Sequence, residues 1–346
     1  MSVKPTAAVA IDIGNANLKI VQTTADGRLA KFAVHKLPEG CLEDLSIVYD
    51  DALIKSLKTA RKKSHHSSGK CTLVLSGSDI IIRHLTLPIL PEDELYQNII
   101  NEMSGYLPVS PDKYHIDYKI VGTVKEDDIE MYSVLVSTAH KRMIDKFKKV
   151  LSKAGLRLSI IDTCENAREK LLKYNQQCGK IPVEGGICFI DIGTKSTRVS
   201  IYHNGDYYVS NSIRRSGQTI TEAISTKTGK DILASEATKR EANLLTGQHP
   251  NNQMQSAVVN EVDAMLHEVV RVLDYYKSRN KSPITAAFLA GGGALLPGLE
   301  AYMQEYLDIP VHNAAALFAP ANKKAVSRGF AFLLNAYAAT FREDQK

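Results

Sequence analysis

Short apolar runs separated by turn residues open the chain. Residues 7–13 are apolar apart from Asp12, residues 18–23 mix apolar and polar positions, and a further run ends near Leu37 and Pro38, with Asp26-Gly27 between. Runs of this length bounded by Gly, Asp and Pro predict strands. The spacing turns helical over residues 52–61, and residues 71–75 read as a buried strand. The stretch between them, residues 61–70, is basic and polar and reads as a solvated loop. Its adjacent His65 and His66 lack a third ligand nearby, so they read as surface residues rather than a metal site.

From residue 85 the pattern changes. Pro88 and Pro91 lead into a helix over residues 92–105, with Leu95, Ile99, Ile100 and Met103 at helical spacing. After Pro108 and Pro111 come two strands, 114–121 and 130–137, across an acidic turn. A helix over 139–153 then buries Met143, Ile144, Phe147, Val150 and Leu151, and Gly155 is placed to end it. Helix, strand, strand, helix makes an inserted α/β subdomain, followed by a connecting strand over 158–162.

The opening pattern then returns. Ile11-Asp12-Ile13-Gly14 recurs as Ile190-Asp191-Ile192-Gly193, an offset of 190 − 11 = 179 residues, and each copy runs on to a glycine turn, Asp26-Gly27 or Asn204-Gly205. The second copy starts near Gly185 and its third strand ends near Arg214-Arg215. Ser216-Gly217 opens a helical region to residue 279, interrupted at Thr228-Gly229 and around His249-Pro250. Its last helix, 258–277, carries Val262, Met265, Leu266, Val269, Leu273 and Tyr276 as a core stripe. A strand at 285–289, three glycines, a helix from about residue 296, a short strand at 309–311 and a closing helix over 323–338 complete the chain. A duplicated strand, glycine turn and returning strand predicts two similar halves facing a cleft.

Composition narrows the class. Hydrophobic residues at 44% and charged residues at 23% fit an ordinary globular chain, and the length suits about two domains. The longest apolar window, residues 329–341, is broken by Asn335 and falls short of the ~20 residues of a spanning helix. No secretion signal is visible at the start, so a cytoplasmic location is expected. Cys41, Cys71, Cys164, Cys178 and Cys188 lie far apart without a C-x-x-C and read as reduced thiols. A net charge of +5 suits a nearby anionic membrane surface, but no aromatic-interleaved basic platform points to nucleic acid.

The candidate chemistry lies at the glycine turns. After Gly14, successive backbone N–H groups can point inward as an anion nest. Asn15 and Asn17 can add side-chain hydrogen bonds, and Lys19 can place a point charge on a phosphate. Asp12, at a strand end, can hold a hydrated Mg²⁺. The second turn repeats the set as Asp191, Gly193, Thr194, Lys195, Ser196 and Thr197. Either turn alone also reads as a plain hairpin; the matched pair argues against that. The third element, Gly291-Gly292-Gly293-Ala294 after a buried strand, costs chain entropy and so suggests close approach of something flat or anionic. It has neither the Walker nor the dinucleotide-fold glycine order.

The order of two Asp-x-Gly turns, an inserted unit, a helical insertion and a triple glycine is that of the phosphate 1, phosphate 2 and adenosine motifs of the actin-like ATPase superfamily. Residues 10–19, Leu85-Thr86-Leu87-Pro88, Gly105-Tyr106-Leu107-Pro108, Asp117-Tyr118, Gly155-Leu156, residues 190–196 and 291–299 resemble the PilM family of type IV pilus assembly proteins, of the FtsA-like branch. That resemblance implies an α/β actin-like ATPase fold with two RNase H-like halves around a nucleotide cleft. Its first-half core (1A) would span residues 1–84, 158–184 and 318–346, the inserted subdomain (1C) 85–157, the second-half core (2A) 185–215 and 282–317, and the helical subdomain (2B) 216–281. It implies ATP and Mg²⁺ as ligands. Phosphate contacts would come from Gly14, Asn15, Ala16, Asn17, Lys19, Gly193, Thr194, Lys195 and Ser196, and metal positioning from Asp12 and Asp191. Gly217, Gly291, Gly292, Gly293 and Ala294 would flank the sugar and base, with Glu236, Lys239 and Arg240 as further contacts. Relatives usually carry hydroxyl residues where this chain has Asn15, Ala16 and Asn17, which favours binding over hydrolysis.

Glu165 is the candidate for orienting water; it reads equally as a helix N-terminal charge complementing the dipole. ATP is therefore expected as a structural or switching ligand with slow turnover at most. The resemblance further implies a cytoplasmic adaptor at the inner face of the cell membrane. It would hold the N-terminal tail of the inner-membrane protein PilN in a groove between the first-half core and the inserted unit of residues 85–157 and link it to pilus motor ATPases, with homo-oligomer formation left open. Two other readings stand beside it. A small-molecule kinase of the same superfamily would need an acceptor-activating Asp that no motif supplies. An FtsA-like division or secretion scaffold would carry a membrane helix beyond the closing helix, where this chain has only residues 340–346.

Overall fold

Two five-stranded sheets repeat one another strand for strand. The structure, a computed structural model, describes residues 2–6, 8–64, 69–245, 253–319 and 327–343. In chain order, β1 (Val3–Pro5), β2 (Val9–Ile13), β3 (Asn17–Thr23) and β4 (Leu29–Lys36) precede a small hairpin of β5 (Leu42–Glu43) and β6 (Ser46–Ile47), then α1 (Asp50–Lys63) and β7 (Lys70–Leu75). The inserted region holds β8 (Ile81–Pro88), α2 (Glu92–Ser104), β9 (Tyr114–Glu126), β10 (Ile129–His140) and α3 (Lys141–Lys153). It is followed by β11 (Arg157–Thr163) and α4 (Cys164–Gln177). The second half runs β12 (Gly186–Ile192), β13 (Thr197–His203), β14 (Asp206–Ile213), α5 (Gly217–Thr228), α6 (Ile232–Glu241), α7 (Gln253–Asn280), β15 (Ile284–Ala290), α8 (Leu299–Leu307) and β16 (Val311–Asn313). The chain then ends with α9 (Leu334–Ala338) and β17 (Phe341–Glu343).

The first sheet has the order β4-β3-β2-β7-β11 and the second β14-β13-β12-β15-β16. In each, the first three strands are antiparallel and the last two join in parallel. The hairpins keep the same register: Asp12 stands opposite Lys19, and Asp191 opposite Arg198. Strands β2 and β12 are almost continuously buried, as both faces of each sheet are covered. The 179-residue offset of the sequence is thus a structural duplication.

The inserted sheet, β8-β10-β9, begins earlier than the sequence pattern suggests. Arg83 and His84 obscure β8 because its two faces serve different neighbours. Leu85 and Leu87 pack with Leu95, Ile99, Met103, Val134 and Val136 under α2, whereas His84 stacks on Tyr207 of the second half, ring centroids 5.9 Å apart. In β10, Val134 and Val136 face α2 while Leu135 between them joins the main core, the period-2 alternation of a strand covered on both sides. The inserted sheet therefore leans on both halves.

Helix α3, expected as part of the insertion, packs elsewhere. Its Ile144, Phe147, Val150 and Leu151 join Leu53, Leu57 and Ala60 of α1 in the core of the first half. Gly155, at φ +77°, ends α3, and the Leu156 N–H donates to the Leu151 carbonyl at 2.9 Å, a Schellman closure.

The expected closing helix also differs. Its described part is a 3₁₀ segment, Arg328–Leu333, followed by the short α9. The chain then continues into β17, which pairs antiparallel with β1, an element that three residues of mixed polarity do not announce. His65, His66, His249, Pro250 and residues 323–326 lie outside the described residues, so the readings placed on them find no structural counterpart here. Among the described residues no helix is long and apolar enough to cross a membrane.

Candidate functional site

Both Asp-x-Gly turns close in the same way. Gly14 N–H donates to the Asn17 carbonyl at 3.0 Å, and Gly193 N–H to the Ser196 carbonyl at 2.9 Å. Closure leaves the residues between them at the tips, and among the described hydrogen bonds the N–H groups of Asn15, Ala16, Thr194 and Lys195 have no protein acceptor. Successive free N–H groups at a turn make a concave anion site. Thr194, Lys195 and Ser196 are exposed, while Gly14, Asn15, Ala16 and Asn17 are half-buried.

The third glycine element is built against the second turn. A Cβ on Gly291 would come within 2.5 Å of both Asp191 Oδ1 and the Ile192 carbonyl, and the residue sits at φ +77°. A Cβ on Gly293 would lie 2.2 Å from the Ile192 side chain. Only glycine allows this approach. Gly292 is exposed, and a Cβ there would meet Phe332 at 3.5 Å, while the Lys19 ammonium sits 4.7 Å from the centre of the same ring. Phe332 thus bridges the first turn and the glycine loop. Ala294 points into the core.

The N-terminus of α5 meets the second turn from the other side. Ser216 and Thr219 form a capping box, and the Gly217 N–H donates to the Gly193 carbonyl at 2.9 Å. Lys239 Nζ donates to the Gly217 carbonyl and to Thr221 Oγ1, each at 2.8 Å, and pairs with Glu236 at 2.6 Å. Burial pushes the Glu236 carboxyl up, but its bonds to Lys239, Thr221 and Arg240 outweigh this and bring it to about 2. Burial pulls Lys239 below its ordinary value. Arg240 is largely exposed and holds Glu236 from outside.

Both candidate metal residues already have a cation beside them. Asp12 Oδ2 accepts from Lys19 Nζ at 3.0 Å. Asp191 Oδ2 accepts from Arg168 and, at 3.2 Å, from the Asn335 amide. Arg168, on α4, is fully buried, and its Nε donates to Asn335 Oδ1 at 3.0 Å. Burial works against the guanidinium's charge, and the Asp191 carboxylate more than offsets it, holding Arg168 above its ordinary value. Neither Asp has a described hydrogen bond on Oδ1.

Two sequence candidates point elsewhere. The Asn15 side chain accepts from the Asp44 N–H at 3.0 Å, tying the first turn to the segment before β6. Glu165 is buried in the first turn of α4, where its Oε1 accepts from Arg198 at 2.8 Å and its Oε2 from the Cys164 thiol at 3.1 Å. Arg198 also donates to the Gly77 carbonyl at 3.0 Å, so it ties β13 of the second half to α4 and to the segment after β7. The repeat could have revealed Arg198, since 19 + 179 = 198 makes it the counterpart of Lys19. Arg168, Asn335 and Phe332 carry no comparable signal; they reach the site only through the packing of α4 against the closing segment.

A separate concavity of about 320 Å³ lies between the β5–β6 hairpin and the start of α3. Leu45, Ile47 and Met143 give it an apolar floor, and Asp79, His140, Arg142 and Lys146 a charged rim. His140 caps α3, accepting at Nδ1 from the Arg142 N–H at 3.2 Å. The residues next to this groove are those that Asn15 anchors: Asp44 Oδ2 accepts from the Ser78 N–H at 2.9 Å.

Comparison with known proteins places the chain among relatives of this architecture. A family model described as type IV pilus assembly protein PilM matches residues 10–329. The cell division protein FtsA of Bacillus subtilis (strain 168) is 21% identical over 353 residues, covering 89% of this chain and 78% of that protein. Among solved structures, a PilM-PilN type IV pilus biogenesis complex aligns at a TM-score of 0.82 and 22% identity, covering 96% of this chain and 98% of that one. MreB5 of Spiroplasma citri bound to AMPPNP aligns at 0.56 and 13% identity, over 94% and 93% of the two chains. These likenesses give the chain the actin-like ATPase fold.

Proposed function

The chain belongs to the type IV pilus assembly protein PilM family, and from that premise we propose that it is an ATP-binding adaptor that captures the N-terminal tail of a PilN-type inner-membrane protein. The observation that carries the nucleotide half is the pair of register-matched turns, at which the Asn15, Ala16, Thr194 and Lys195 N–H groups have no described acceptor, with a glycine loop packed so tightly on the second turn that Gly291 and Gly293 have no room for a side chain. Phosphates would be held by Gly14, Asn15, Ala16, Asn17, Lys19, Gly193, Thr194, Lys195 and Ser196. The ribose and base would lie among Gly217, Glu236, Lys239, Arg240 and the Gly291–Gly293 loop.

Mg²⁺ fits the donor set. It keeps several waters and needs few protein ligands, and the Oδ1 atoms of Asp12 and Asp191 carry no described hydrogen bond. When bound, the ion would neutralise phosphate charge. Glu165 is committed to Arg198 and Cys164, so ATP is better suited to holding the two halves in one arrangement than to rapid turnover.

The groove beside α3 is the proposed seat of the tail. An extended peptide would lodge apolar side chains on Leu45, Ile47 and Met143, with its polar groups at the charged rim. The protein would then sit at the inner face of the membrane through its partner and pass that position on to the pilus motors.

Thermal unfolding with ATP at about 100 times its Kd should show a gain of ~2.7 kcal/mol. Lys19→Ala with Lys239→Ala should abolish it, and Asp12→Asn with Asp191→Asn should remove its Mg²⁺-dependent part. An undiminished Mg²⁺ effect in the latter pair refutes the metal assignment. For the groove, Met143→Asp should weaken a labelled PilN tail peptide about tenfold or more in fluorescence anisotropy while leaving the ATP gain intact. Unchanged peptide affinity sinks the proposed seat.

A further inference from the structure

Helices α1 and α3 pack side by side with their apolar faces in one core, so their outer faces look the same way. Those faces are basic. Helix α1 has five Lys or Arg against two Asp, and α3 has six against one. Together this is a larger surplus than the +5 of the entire chain. Lys55, Lys58 and Lys62 on α1 and Lys141, Lys148 and Lys149 on α3 are all exposed. Among the described residues, none of these six pairs with a carboxylate. The acidic members are Asp50, which pairs with Lys146 at 3.2 Å, and the exposed Asp51 and Asp145.

The chemistry of the face selects its occupant. The two helices offer lysine point charges and no exposed aromatic ring within their span, because Phe147, their single aromatic residue, is buried; the exposed Tyr49 at the N-cap of α1 is one ring at the edge, not a stacking platform for successive bases. Neither helix carries a large exposed aliphatic side chain to insert into a bilayer; the exposed Val48 lies before the start of α1. A flat, negatively charged surface met without insertion matches both facts. The face is continuous with the groove, since Arg142 and Lys146 of α3 line its rim. A tail that leaves the membrane and enters that groove brings the outer side of α3 toward the leaflet.

We propose that the outer faces of α1 and α3 form an electrostatic seat on an anionic phospholipid bilayer, acting alongside the tail in the groove; its orientation rests on the adaptor reading above. Lysine is suited to this, since each ammonium on its flexible stem can reach a separate headgroup.

Vesicle co-sedimentation without any partner tests the seat. The full chain should bind vesicles of phosphatidylcholine with about 30 mol% phosphatidylglycerol about tenfold more than pure phosphatidylcholine at low salt, and lose that excess by about 0.5 M salt. Lys58→Glu, Lys62→Glu, Lys148→Glu and Lys149→Glu together should abolish the excess. A control with the same charge change on other exposed lysines, Lys180→Glu, Lys227→Glu, Lys277→Glu and Lys281→Glu, should keep it within about twofold. No preference for anionic vesicles overturns the proposal, and so does an equal loss in the control. A duplex DNA bound as well as the vesicles, and lost in the first variant, overturns it in favour of nucleic acid. Tail-peptide anisotropy on the same variants separates the two ideas: failure of peptide binding in the parent chain removes the adaptor reading, whereas retained peptide binding with no vesicle preference removes only the seat.

Discussion

Replacing Arg198 by Gln strands a buried carboxylate. Glu165 is 2% exposed, and Arg198 is its guanidinium partner at 2.8 Å, while the same arginine satisfies the Gly77 carbonyl at 3.0 Å. Breaking a buried pair by removing one member costs ~3–5 kcal/mol, chiefly because the remaining charge lacks compensation. The Arg198 side chain is 15% exposed, so water can reach part of the site and the lower end applies, about 3 kcal/mol. At roughly 2 °C per kcal/mol for a chain of this size, the melting temperature should fall by about 6 °C. Adding Glu165→Gln removes the stranded charge, so the double variant should regain ~2 kcal/mol relative to Arg198→Gln alone. Chemical denaturation of the four proteins of this cycle measures the coupling, and ATP turnover is followed in parallel. A coupling below about 0.5 kcal/mol, together with loss of turnover specific to Glu165→Gln, would refute the ion-pair account and restore the water-orienting role.

Two further outcomes follow from the site. Gly291→Ala forces a Cβ to 2.5 Å from Asp191 Oδ1 at a φ of +77°, so calorimetry should show nucleotide affinity reduced at least about tenfold, equivalent to ~1.4 kcal/mol; unchanged affinity would mean the glycine loop does not approach the ligand. The Glu236 carboxyl lies at about 2 in the folded chain against an ordinary 4.5, so its stabilising contribution is complete above about pH 4.5 and lost as pH falls toward 2. Denaturation midpoints measured from pH 5 downward should therefore fall less steeply in Glu236→Gln, and parallel slopes would contradict the bonding seen with Lys239 and Thr221.

Much of this was legible because the two halves are built on period-2 strands buried on both faces. Such strands leave long apolar runs, and Asp12 and Asp191 stand out in them as the polar breaks at the strand ends. The glycine loop was legible because no other residue tolerates its approach to Ile192. What escaped had its cause in three dimensions. Strand β8 serves two cores and so shows no simple alternation, and α3 belongs by packing to the first half although it follows the inserted strands in sequence. Asn15 read as a phosphate ligand from its position alone; that its Oδ1 also accepts from the Asp44 N–H, pinning the turn while leaving the amide and backbone N–H as donors, had no signal in the sequence. Glu165 looked available until Arg198 was found beside it.

Helix α4 has a consequence for recombination. Within six residues it sends Glu165 to Arg198 and Arg168 to Asp191 in the second half, Glu169 to Lys119 in the inserted sheet, and Lys170 to Asp162 at the end of the first sheet. A chimera that takes one half from a relative and the other from this chain would separate the buried Glu165, Arg168, Glu169 and Lys170 from the charges that offset them. The duplicated halves look interchangeable in outline, but this helix makes them a single inheritance: α4 must travel with its partners on all three sides, or the joined protein begins life with unpaired charges at its centre.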